Sequence, residues 1–412
     1  MNREGVSVFA GGQPAGRLFR SDTELETFLF AYDPGCPDER AISLTMPVVA
    51  DQYDSMGFLH PVFEMNLPEG VLRQTLERMF AKAIKDFDAL TLLEIVGKSQ
   101  IGRLRYTTAG EALAELPTES IDKILTFHGG RDYFDSLMEK FAAHSGISGM
   151  QPKILVRDEK TVFDKVADKG ATHIVKSFNP AEYPELALNE FFSLRAALHA
   201  GLPVATAHLS ENRAVLVIER FDRRADGSYL GFEDFCVLSG LRSHGRYNSS
   251  YEALAQKVAI YVSPPHHQAA MRQLFGTVAL SCVIRNGDAH LKNFGVLYDE
   301  PGVNVRLAPV YDLLSTVPYL PKDILALELN DSKSYPSSSR LLHFARQSCG
   351  LTQRVAESIL LNVARGVEQA IEEMGAYANQ HPDCQEPIAY FTKIFRDGLL
   401  SIDHRASGSS QQ

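Results

Sequence analysis

Apolar and polar residues alternate over short stretches at the start of the chain. VSVFA (6–10), GRLFR (16–20) and TFLFAYD (27–33) are separated by glycine and polar residues, which is typical of short β-strands. Apolar residues then recur three and four positions apart over 68–84 and 88–97, which predicts two helices. The first hundred residues are therefore predicted to be strand-rich, with two helices after the strands.

The middle of the chain mixes both patterns, and helix dominates beyond about residue 250. Three strands are predicted in the middle, at KILVR (153–157), HIVKSF (173–178) and RAVLVIERFD (213–222). The predicted helices of the middle and the end cover 184–201, 266–287, 357–378 and 386–400. This order predicts an α+β fold with a mostly helical C-terminal part.

Composition narrows the class of protein. The chain has 412 residues with 45% hydrophobic and 22% charged content, which is ordinary for a globular protein of two or three domains. No apolar run approaches eighteen residues and the N-terminus lacks the apolar core of a signal peptide, so neither a membrane span nor secretion is expected. The tail ASGSSQQ (406–412) is predicted to be flexible.

Cysteine usage and charge add two exclusions. The five cysteines are scattered without a CxxC pair, which argues against a disulfide framework or a structural zinc site and fits a reducing cytoplasm. The net charge of −10 makes the whole chain a poor electrostatic match for nucleic acid. Contact with DNA would need a local basic patch or a basic partner.

A dense polar cluster, NGDAHLKN (286–293), interrupts two apolar stretches. NGD alone is an ordinary turn signal. The spacing is more particular, because Asp288 and Asn293 are five residues apart and Asp312 follows in LAPVYDLLS. Phosphoryl transfer needs a carboxylate to accept the proton of the attacking hydroxyl, and oxygen ligands for Mg²⁺. The three residues reproduce the kinase order D-x-x-x-x-N with a later metal-binding Asp.

Three more segments fit a kinase, although each has a simpler interpretation. Lys176 in the apolar strand THIVKSF is suited to contacting phosphates, or could face solvent on an edge strand. The segment RAVLVIERFDRR (213–224) is apolar up to Ile218 and charged from Glu219. This change is typical of a strand that leads into the hinge between the two lobes of a kinase. It is also what the end of an ordinary strand would show. HSGISGMQPK (144–153) has two glycines that would let backbone N–H groups approach phosphate, although most such loops bind nothing.

The sequence resembles the HipA-type serine/threonine kinases of bacterial toxin–antitoxin modules over nearly its whole length. The resemblance is carried by GRLFR, FAYD, ISLTMPV, PVFEMNLPEG and LLEIVGKSQIGRL near the start, by GISGMQPK, THIVK, NEFFSLRAA and LVIERFDRR in the middle, and by EDFC, NGDAHLKNF and APVYDLLST later. It implies a protein-kinase-like fold with a strand-rich N-terminal lobe and a helical C-terminal lobe. The implied regions are an N-terminal subdomain (1–107), a kinase N-lobe core (108–225) and a helical C-lobe (226–405).

The resemblance also implies roles for individual residues. Asp288 would be the catalytic base, and Asn293 and Asp312 would hold Mg²⁺. ATP would be contacted by the phosphate loop, the strand lysine, the hinge and the catalytic loop, that is by Ser148, Gly149, Met150, Gln151, Pro152, Lys153, Lys176, Glu219, Arg220, Phe221, His290, Leu291, Lys292, Asn293, Tyr311 and Asp312. Glu190 could pair with Lys176, as in other kinases.

Two positions depart from the family pattern. The family's loop often reads S-[IV]-[AS]-G with autophosphorylation on its first serine, but Gly146 stands there in this chain. Ser148 is therefore the predicted site of autophosphorylation, with Ser145 as second choice. Phe232 replaces the usual Gln before Glu233.

The resemblance further implies partners. They are a HipB-like helix-turn-helix antitoxin, through which any DNA contact would be indirect, and a protein substrate of the aminoacyl-tRNA synthetase class. Two other functions stay open. Small-molecule phosphotransferases such as aminoglycoside or choline kinases often carry HGDxHxxN, although the leading hundred residues and ERFDR favour the toxin family. The second open function is that of a non-catalytic pseudokinase acting as a co-repressor. The presence of all four expected kinase residues argues against it, namely Asp288, Asn293, Asp312 and Lys176.

Overall fold

The computed structural model describes residues 5–23, 26–80, 87–113, 117–128, 131–147, 153–159 and 170–402. The chain forms two compact units. The strand-rich unit comprises Met1–Phe178, His208–His244 and Val296–Val305. The helical unit comprises Asn179–Ala207, Gly245–Gly295 and Arg306–Gln412. The predicted tail, 406–412, lies outside the described residues.

The strands of the described ranges are β1 Val6–Ala10, β2 Gln13–Arg20, β3 Thr27–Tyr32, β4 Tyr53–Met56, β5 Leu104–Thr108, β6 Thr118–Glu119, β7 Lys153–Asp158, β8 His173–Ser177, β9 Ala207–Leu209, β10 Val215–Glu219, β11 Gly231–Asp234, β12 Gly295–Tyr298 and β13 Arg306–Leu307. The α-helices are α1 Pro61–Glu64, α2 Gly70–Phe80, α3 Ala89–Val96, α4 Ile121–Thr126, α5 Arg131–Phe141, α6 Leu186–His199, α7 Phe235–Leu238, α8 Tyr251–Tyr261, α9 Pro264–Val283, α10 Ser338–Gln347, α11 Gln353–Gln380 and α12 Gln385–Ile402. The strands and helices predicted above from periodicity are confirmed in type where they are described, with ends that differ by a few residues, and residues 81–84 of the first predicted helix lie outside the described residues.

The first sheet of the strand-rich unit is an antiparallel sheet in the order β4-β3-β2-β1-β5. A two-residue turn joins β1 to β2 at Gly11 and Gly12, whose φ angles are 59° and 78°. A turn with positive φ at both central residues matches the twist of the two strands, and glycine adopts it without strain. The GG pair therefore fixes this hairpin.

The second sheet of this unit has the strand order β6-β7-β8-β10-β9. The central strand β8 pairs antiparallel with β7 on one side and with β10 on the other. The strands β7 and β10 are buried along nearly their whole length, which is why their sequences are apolar runs instead of alternating patterns. Val8 of β1 and Val156 of β7 belong to one hydrophobic core. This core therefore continues across the boundary predicted between residues 107 and 108.

The helical unit is built around α9, whose C-terminal two thirds are almost entirely buried. The long helix α11 packs against α6 so closely that a Cβ added at Gly366 would lie 2.5 Å from the backbone nitrogen of Ala200. Gly398 of α12 approaches the carbonyl of Val283 in the same way. Because α6 groups with these helices, the region predicted as 108–225 is divided between the two units.

The helices and the cysteines can be compared with what the composition indicated about membrane spans and disulfides. None of their helices has both the length and the apolar character needed to cross a membrane. All five cysteines are free thiols, as expected from their scattered positions.

Candidate active site

The predicted catalytic loop begins where α9 ends. After Val283 the chain turns out of the helix at Arg285, whose φ of 58° is left-handed. The buried Asn286 then accepts the backbone N–H of Asp288 on its side-chain oxygen at 2.9 Å. NGD is therefore a turn, as its simplest interpretation predicts, and this turn also sets the position of Asp288.

Asp288, the predicted base, keeps half of its side chain exposed. The hydroxyl of Tyr247 donates a hydrogen bond of 2.6 Å to its Oδ1. The pKa of Asp288 is raised to about 6, above all because the surrounding protein removes water from the carboxylate, while the Tyr247 hydrogen bond opposes this rise. A carboxylate with a pKa near the working pH suits a general base.

Asn293 and Asp312, the predicted metal ligands, lie side by side in the helical unit. Nδ2 of Asn293 is 3.4 Å from Oδ2 of Asp312, and Oδ1 of Asn293 accepts the backbone N–H of His290 at 3.1 Å while keeping a second lone pair. This contact shows that the two side chains are adjacent, and Mg²⁺ would take its ligands from the carboxylate of Asp312 and from the side-chain oxygen Oδ1 of Asn293.

The remaining ligands of such an ion would be water and phosphate oxygens. Within the described ranges, no group of three or more His, Cys, Asp or Glu side chains could hold a metal ion. Mg²⁺ is usually bound by one or two carboxylates together with substrate phosphates, so a sparse protein site is what a nucleotide-bound ion needs.

The backbone of Asp312 is held in an unusual conformation. Its φ of 55° is left-handed, which costs an L-residue about 1–2 kcal/mol, although Asp and Asn tolerate it better than most. The preceding Tyr311 donates its hydroxyl proton to the carbonyl of Lys292 at 2.8 Å, which ties this segment to the catalytic loop. Strained backbone of this kind concentrates at functional sites.

The other catalytic-loop residues contribute in different ways. The ring of His290 is mostly buried, which lowers the pKa of His290 to about 4, so this imidazole is neutral at pH 7. The side chain of Leu291 is buried in the core, so only its backbone is available to a ligand. Lys292 is partly buried.

In the strand-rich unit, Lys153 and Lys176 are cross-strand partners on β7 and β8. Directly opposite residues of antiparallel strands point to the same face of a sheet, and both of these side chains are buried. Lysine ammonium groups bind phosphate oxygens as point charges, so two of them on one face of a sheet fit the phosphates of a nucleotide.

The predicted hinge divides into residues with different roles. Glu219 ends β10 with half of its side chain exposed, and Nε2 of His208 lies 3.0 Å from its Oε1. The guanidinium of Arg220 is fully buried and forms a bidentate ion pair with Asp222, at 3.0 and 2.6 Å. Phe221 contacts the ring of Phe232 edge-on at 5.9 Å. Arg220 is thus committed to the core through its side chain, and its backbone N–H also donates to the carbonyl of Thr172 at 3.0 Å.

The Arg220–Asp222 pair also anchors a loop that precedes β5. Nη2 of Arg220 donates to the carbonyl of Gln100 at 2.8 Å, and Asp222 accepts the N–H of Gly102 at 2.6 Å. The acidic and basic residues of ERFD therefore have a structural role that spacing alone did not reveal.

The predicted phosphate loop is described only at its ends. Ser148, Gly149, Met150, Gln151 and Pro152 lie outside the described residues. Ser145 is fully buried, donates its hydroxyl proton to the carbonyl of Phe141 at 2.8 Å and accepts the N–H of Leu155 at 2.9 Å. Gly146 faces the side-chain amide of Gln100, which an added Cβ would meet at about 2 Å. This contact explains why glycine stands at that position.

Two glutamates that lie near predicted site residues in the sequence are buried. Glu190 follows Lys176, and Glu233 follows the predicted hinge. Glu190 is completely buried in α6 of the helical unit. Glu233, which follows the divergent Phe232, is buried in the strand-rich unit and accepts hydrogen bonds from Ser43 Oγ, Leu44 N and Tyr298 Oη at 2.5, 2.8 and 2.9 Å. These contacts tie the EDFC motif to the N-terminal part of the chain.

Two family models match the sequence. The HipA-like C-terminal domain matches residues 145–371, which is more than half of the chain, and the HipA N-terminal domain matches residues 6–107.

Curated relatives and a solved structure agree with these matches. A kinase-named relative from Sinorhizobium fredii is 32% identical over 189 residues, which cover 42% of this chain and 42% of the relative, so the chain spans less than half of that protein's length. The serine/threonine-protein kinase toxin HipA of Shewanella oneidensis is 26% identical over 347 residues, 78% of each chain. A structure of a Shewanella oneidensis complex of HipA, HipB and operator DNA contains a chain with a TM-score of 0.73 at 20% identity, covering 96% of this chain and 97% of that one. This likeness confirms the predicted α+β, kinase-like fold.

Proposed function

The chain belongs to the HipA family, and we propose that it is a serine/threonine protein kinase that transfers the γ-phosphate of ATP to a serine of a protein. The observation that carries this proposal is the arrangement in the helical unit, where Asp288 stands at the start of the same loop that places Asn293 beside Asp312. Such a set supplies a proton acceptor and metal ligands, which phosphoryl transfer requires.

The reaction assigns a task to each group. Asp288, largely ionised at neutral pH because its pKa is about 6, accepts the proton of the serine hydroxyl as that oxygen forms its bond to the γ-phosphorus. The bond from the γ-phosphorus to the bridging oxygen breaks, and ADP leaves. Lys153 and Lys176 contact the phosphates. Asn293 and Asp312 would hold Mg²⁺, which would neutralise charge on the phosphates.

Partners and location are part of the proposal. The chain acts as a growth-inhibiting toxin in the cytoplasm, is neutralised by a HipB-like helix-turn-helix antitoxin, and phosphorylates a serine of an aminoacyl-tRNA synthetase. Likeness to the toxin HipA and to a HipA–HipB–operator complex supports the toxin activity and the antitoxin partner. The five free cysteines are consistent with a reducing compartment. A net charge of −10 is consistent with DNA contact through the antitoxin alone.

The test compares wild type with Asp288→Asn. The substitution is nearly isosteric but removes the proton acceptor, so transfer of labelled phosphate from ATP should fall about 10²–10⁴-fold with the melting temperature unchanged. Asp397→Asn, in an exposed position on α12, is the control for loss of one carboxylate. Phosphoproteomics of cells expressing either protein should find one phosphoserine peptide that depends on Asp288. Transfer by Asp288→Asn at the wild-type rate would rule out Asp288 as the base, and labelling of a small metabolite alone would point to the small-molecule phosphotransferases.

A further inference from the structure

Tyr247 makes two contacts with the catalytic loop, although nothing in the sequence pattern marks it. Its hydroxyl donates to Oδ1 of Asp288 at 2.6 Å, which is short for a hydrogen bond and typical of an O–H donor on an ionised carboxylate. Its ring meets the ring of His290 edge-on, with centroids 5.0 Å apart and planes at 76°. Tyr247 therefore contacts both the carboxylate of Asp288 and the ring of His290.

The segment that carries Tyr247 is itself fastened to the same loop. The carbonyl of Arg246 accepts the backbone N–H of Leu291 at 3.2 Å. The hydroxyl of the buried Tyr251 donates to the carbonyl of Ala289 at 3.0 Å. A backbone bond before Tyr247 and a side-chain bond after it thus hold this segment against the catalytic loop, which places the hydroxyl of Tyr247 at the carboxylate although its side chain is partly exposed.

A hydrogen bond to one carboxylate oxygen has a geometric consequence. A carboxylate that rotates freely about its Cβ–Cγ bond presents either oxygen to a substrate in many orientations. With Oδ1 of Asp288 held by Tyr247, rotation is restricted and Oδ2 is left to accept a proton. Restricting a reacting group to a productive orientation is a main source of rate enhancement.

We propose that Tyr247 is a positioning residue for phosphoryl transfer, which fixes the carboxylate of Asp288 so that Oδ2 accepts the proton of the acceptor serine. This role rests on the proposed kinase activity. The contacts of Tyr247 are with Asp288, with His290 and with the neighbouring Arg246.

The effect on Asp288 has a defined direction. The charged groups that act on this carboxylate are Arg246, which favours its ionised form, and Asp312 and Asp323, which disfavour it, while His290 beside it is neutral at pH 7. Loss of the Tyr247 hydroxyl removes one stabiliser of the ionised form and leaves these charges in place. The base then ionises at higher pH, and the acidic limb of the rate profile moves in the same direction.

The experiment compares Tyr247→Phe with wild type, using the rate of ADP formation and label incorporation at saturating ATP between pH 5.5 and pH 9. Phenylalanine keeps the ring against His290. The maximal rate at pH 7 should fall about tenfold, as expected for loss of one charge-assisted hydrogen bond, while KM for ATP stays within twofold. The acidic limb should move up by about one pH unit, so that part of the lost rate returns at pH 9.

Two matched variants separate positioning from general loosening. Tyr251→Phe removes a hydroxyl that bonds to backbone groups of Ala289 and Leu327, and should lower the melting temperature without moving the acidic limb. Tyr319→Phe removes a hydroxyl that bonds to Asn189 and to the carbonyl of Pro184, and should leave the pH profile unchanged.

The possible outcomes distinguish the two proposals. If Tyr247→Phe matches wild type at every pH, Tyr247 does not position the base. A loss of the same fraction of rate at every pH, together with a melting temperature lowered as in Tyr251→Phe, would be the effect of a loosened loop and would also overturn the inference. A faster Tyr247→Phe enzyme would show that the tyrosine blocks Asp288, which also overturns the inference. Failure of the kinase proposal would give a different result from failure of the Tyr247 proposal. Wild type would then transfer no phosphate from ATP, or Asp288→Asn would still transfer it.

Discussion

Lys153 and Lys176 stand directly opposite each other on adjacent antiparallel strands, with only 5% and 3% of their surfaces exposed. Lysine is seldom buried this deeply, and still more rarely as a cross-strand pair of like charge. The sequence suggested these two residues for separate reasons, one as the end of a glycine-containing loop and the other as a charge within a strand. Their register brings both to the same face of the sheet.

This register predicts the effect of Lys176→Met, which keeps an unbranched side chain in the strand and removes the charge. We expect KM for ATP to rise roughly tenfold or more, because a charge-assisted contact to a phosphate is lost. Lys393→Met, in an exposed position on α12, is the matched control. ATP titrations of both variants and of Lys153→Met measure the effect, and because the two buried lysines are neighbours, the double variant should lose less than the sum of the single losses. Unchanged ATP affinity in both single variants would remove this lysine pair from the nucleotide site.

The pair of Asn293 and Asp312 predicts a graded response to loss of each ligand. Asp312→Ala should abolish magnesium-dependent nucleotide binding more severely than Asn293→Ala, because a carboxylate brings a full charge to the metal and an amide only a dipole. Asp312→Asn refines the comparison, since asparagine also tolerates the left-handed φ of 55° and so isolates the loss of charge from backbone strain. Calorimetric titration of nucleotide with and without Mg²⁺ gives the answer. Binding by the Asp312 variants that is as tight as wild type, with or without metal, would contradict the assignment.

The elements with clear periodicity were predictable from sequence, and those with buried polar residues were not. VSVFA became β1 without change, and the pattern over 184–201 became α6. The strand β5, Leu104–Thr108, was missed because its sequence LRYTT buries Arg105 and Thr107, so polar residues conceal an interior strand. The unit to which α6 belongs was not predictable either, because periodicity reports which face of a helix is buried but not which neighbours bury it.

In the candidate site, too, some residues were predictable from the sequence and others were not. Asp288, Asn293 and Asp312 could be proposed because their order along the chain follows the chemistry of the reaction. Tyr247 could not, since it lies 41 residues before Asp288 in a polar segment with no distinctive spacing. For Arg220, the sequence predicted a hinge residue that contacts the nucleotide, whereas the side chain forms a buried ion pair with Asp222, which only the three-dimensional arrangement could reveal.

Glu233 predicts a pH dependence of stability. Burial raises the pKa of Glu233 to about 7 from an ordinary 4.5, although three hydrogen bonds favour its ionised form. The folded state therefore binds a proton more tightly than the unfolded state, so the chain loses stability as pH rises from about 4.5 through 7, by about 3 kcal/mol for this group. In Glu233→Gln this loss should be absent, and the apparent free energy of unfolding in urea should fall less between pH 5 and pH 8 than in wild type.

The control for this prediction is Glu368→Gln, an exposed position on α11, which should follow the wild-type pH dependence. If Glu233→Gln and wild type lose the same free energy of unfolding between the two pH values, the Glu233 carboxyl does not titrate in that range.

Self-modification should occur at Ser148 and not at Ser145. Ser145 is buried, and both its donor and its acceptor capacity are used within the fold, so a kinase could reach it only after the surrounding core opened. Phosphorylation of Ser148 would add about −1.5 to −2 charges to the predicted phosphate loop, which should repel ATP and switch the kinase off. Ser148→Ala should therefore keep ATP binding and lose self-modification, whereas Ser148→Asp should bind ATP more weakly. Peptide mass spectrometry after incubation with ATP and Mg²⁺ tests this, with Asp288→Asn as the inactive control. Phosphate found on Ser145 or elsewhere, with Ser148 unmodified, would refute the assignment.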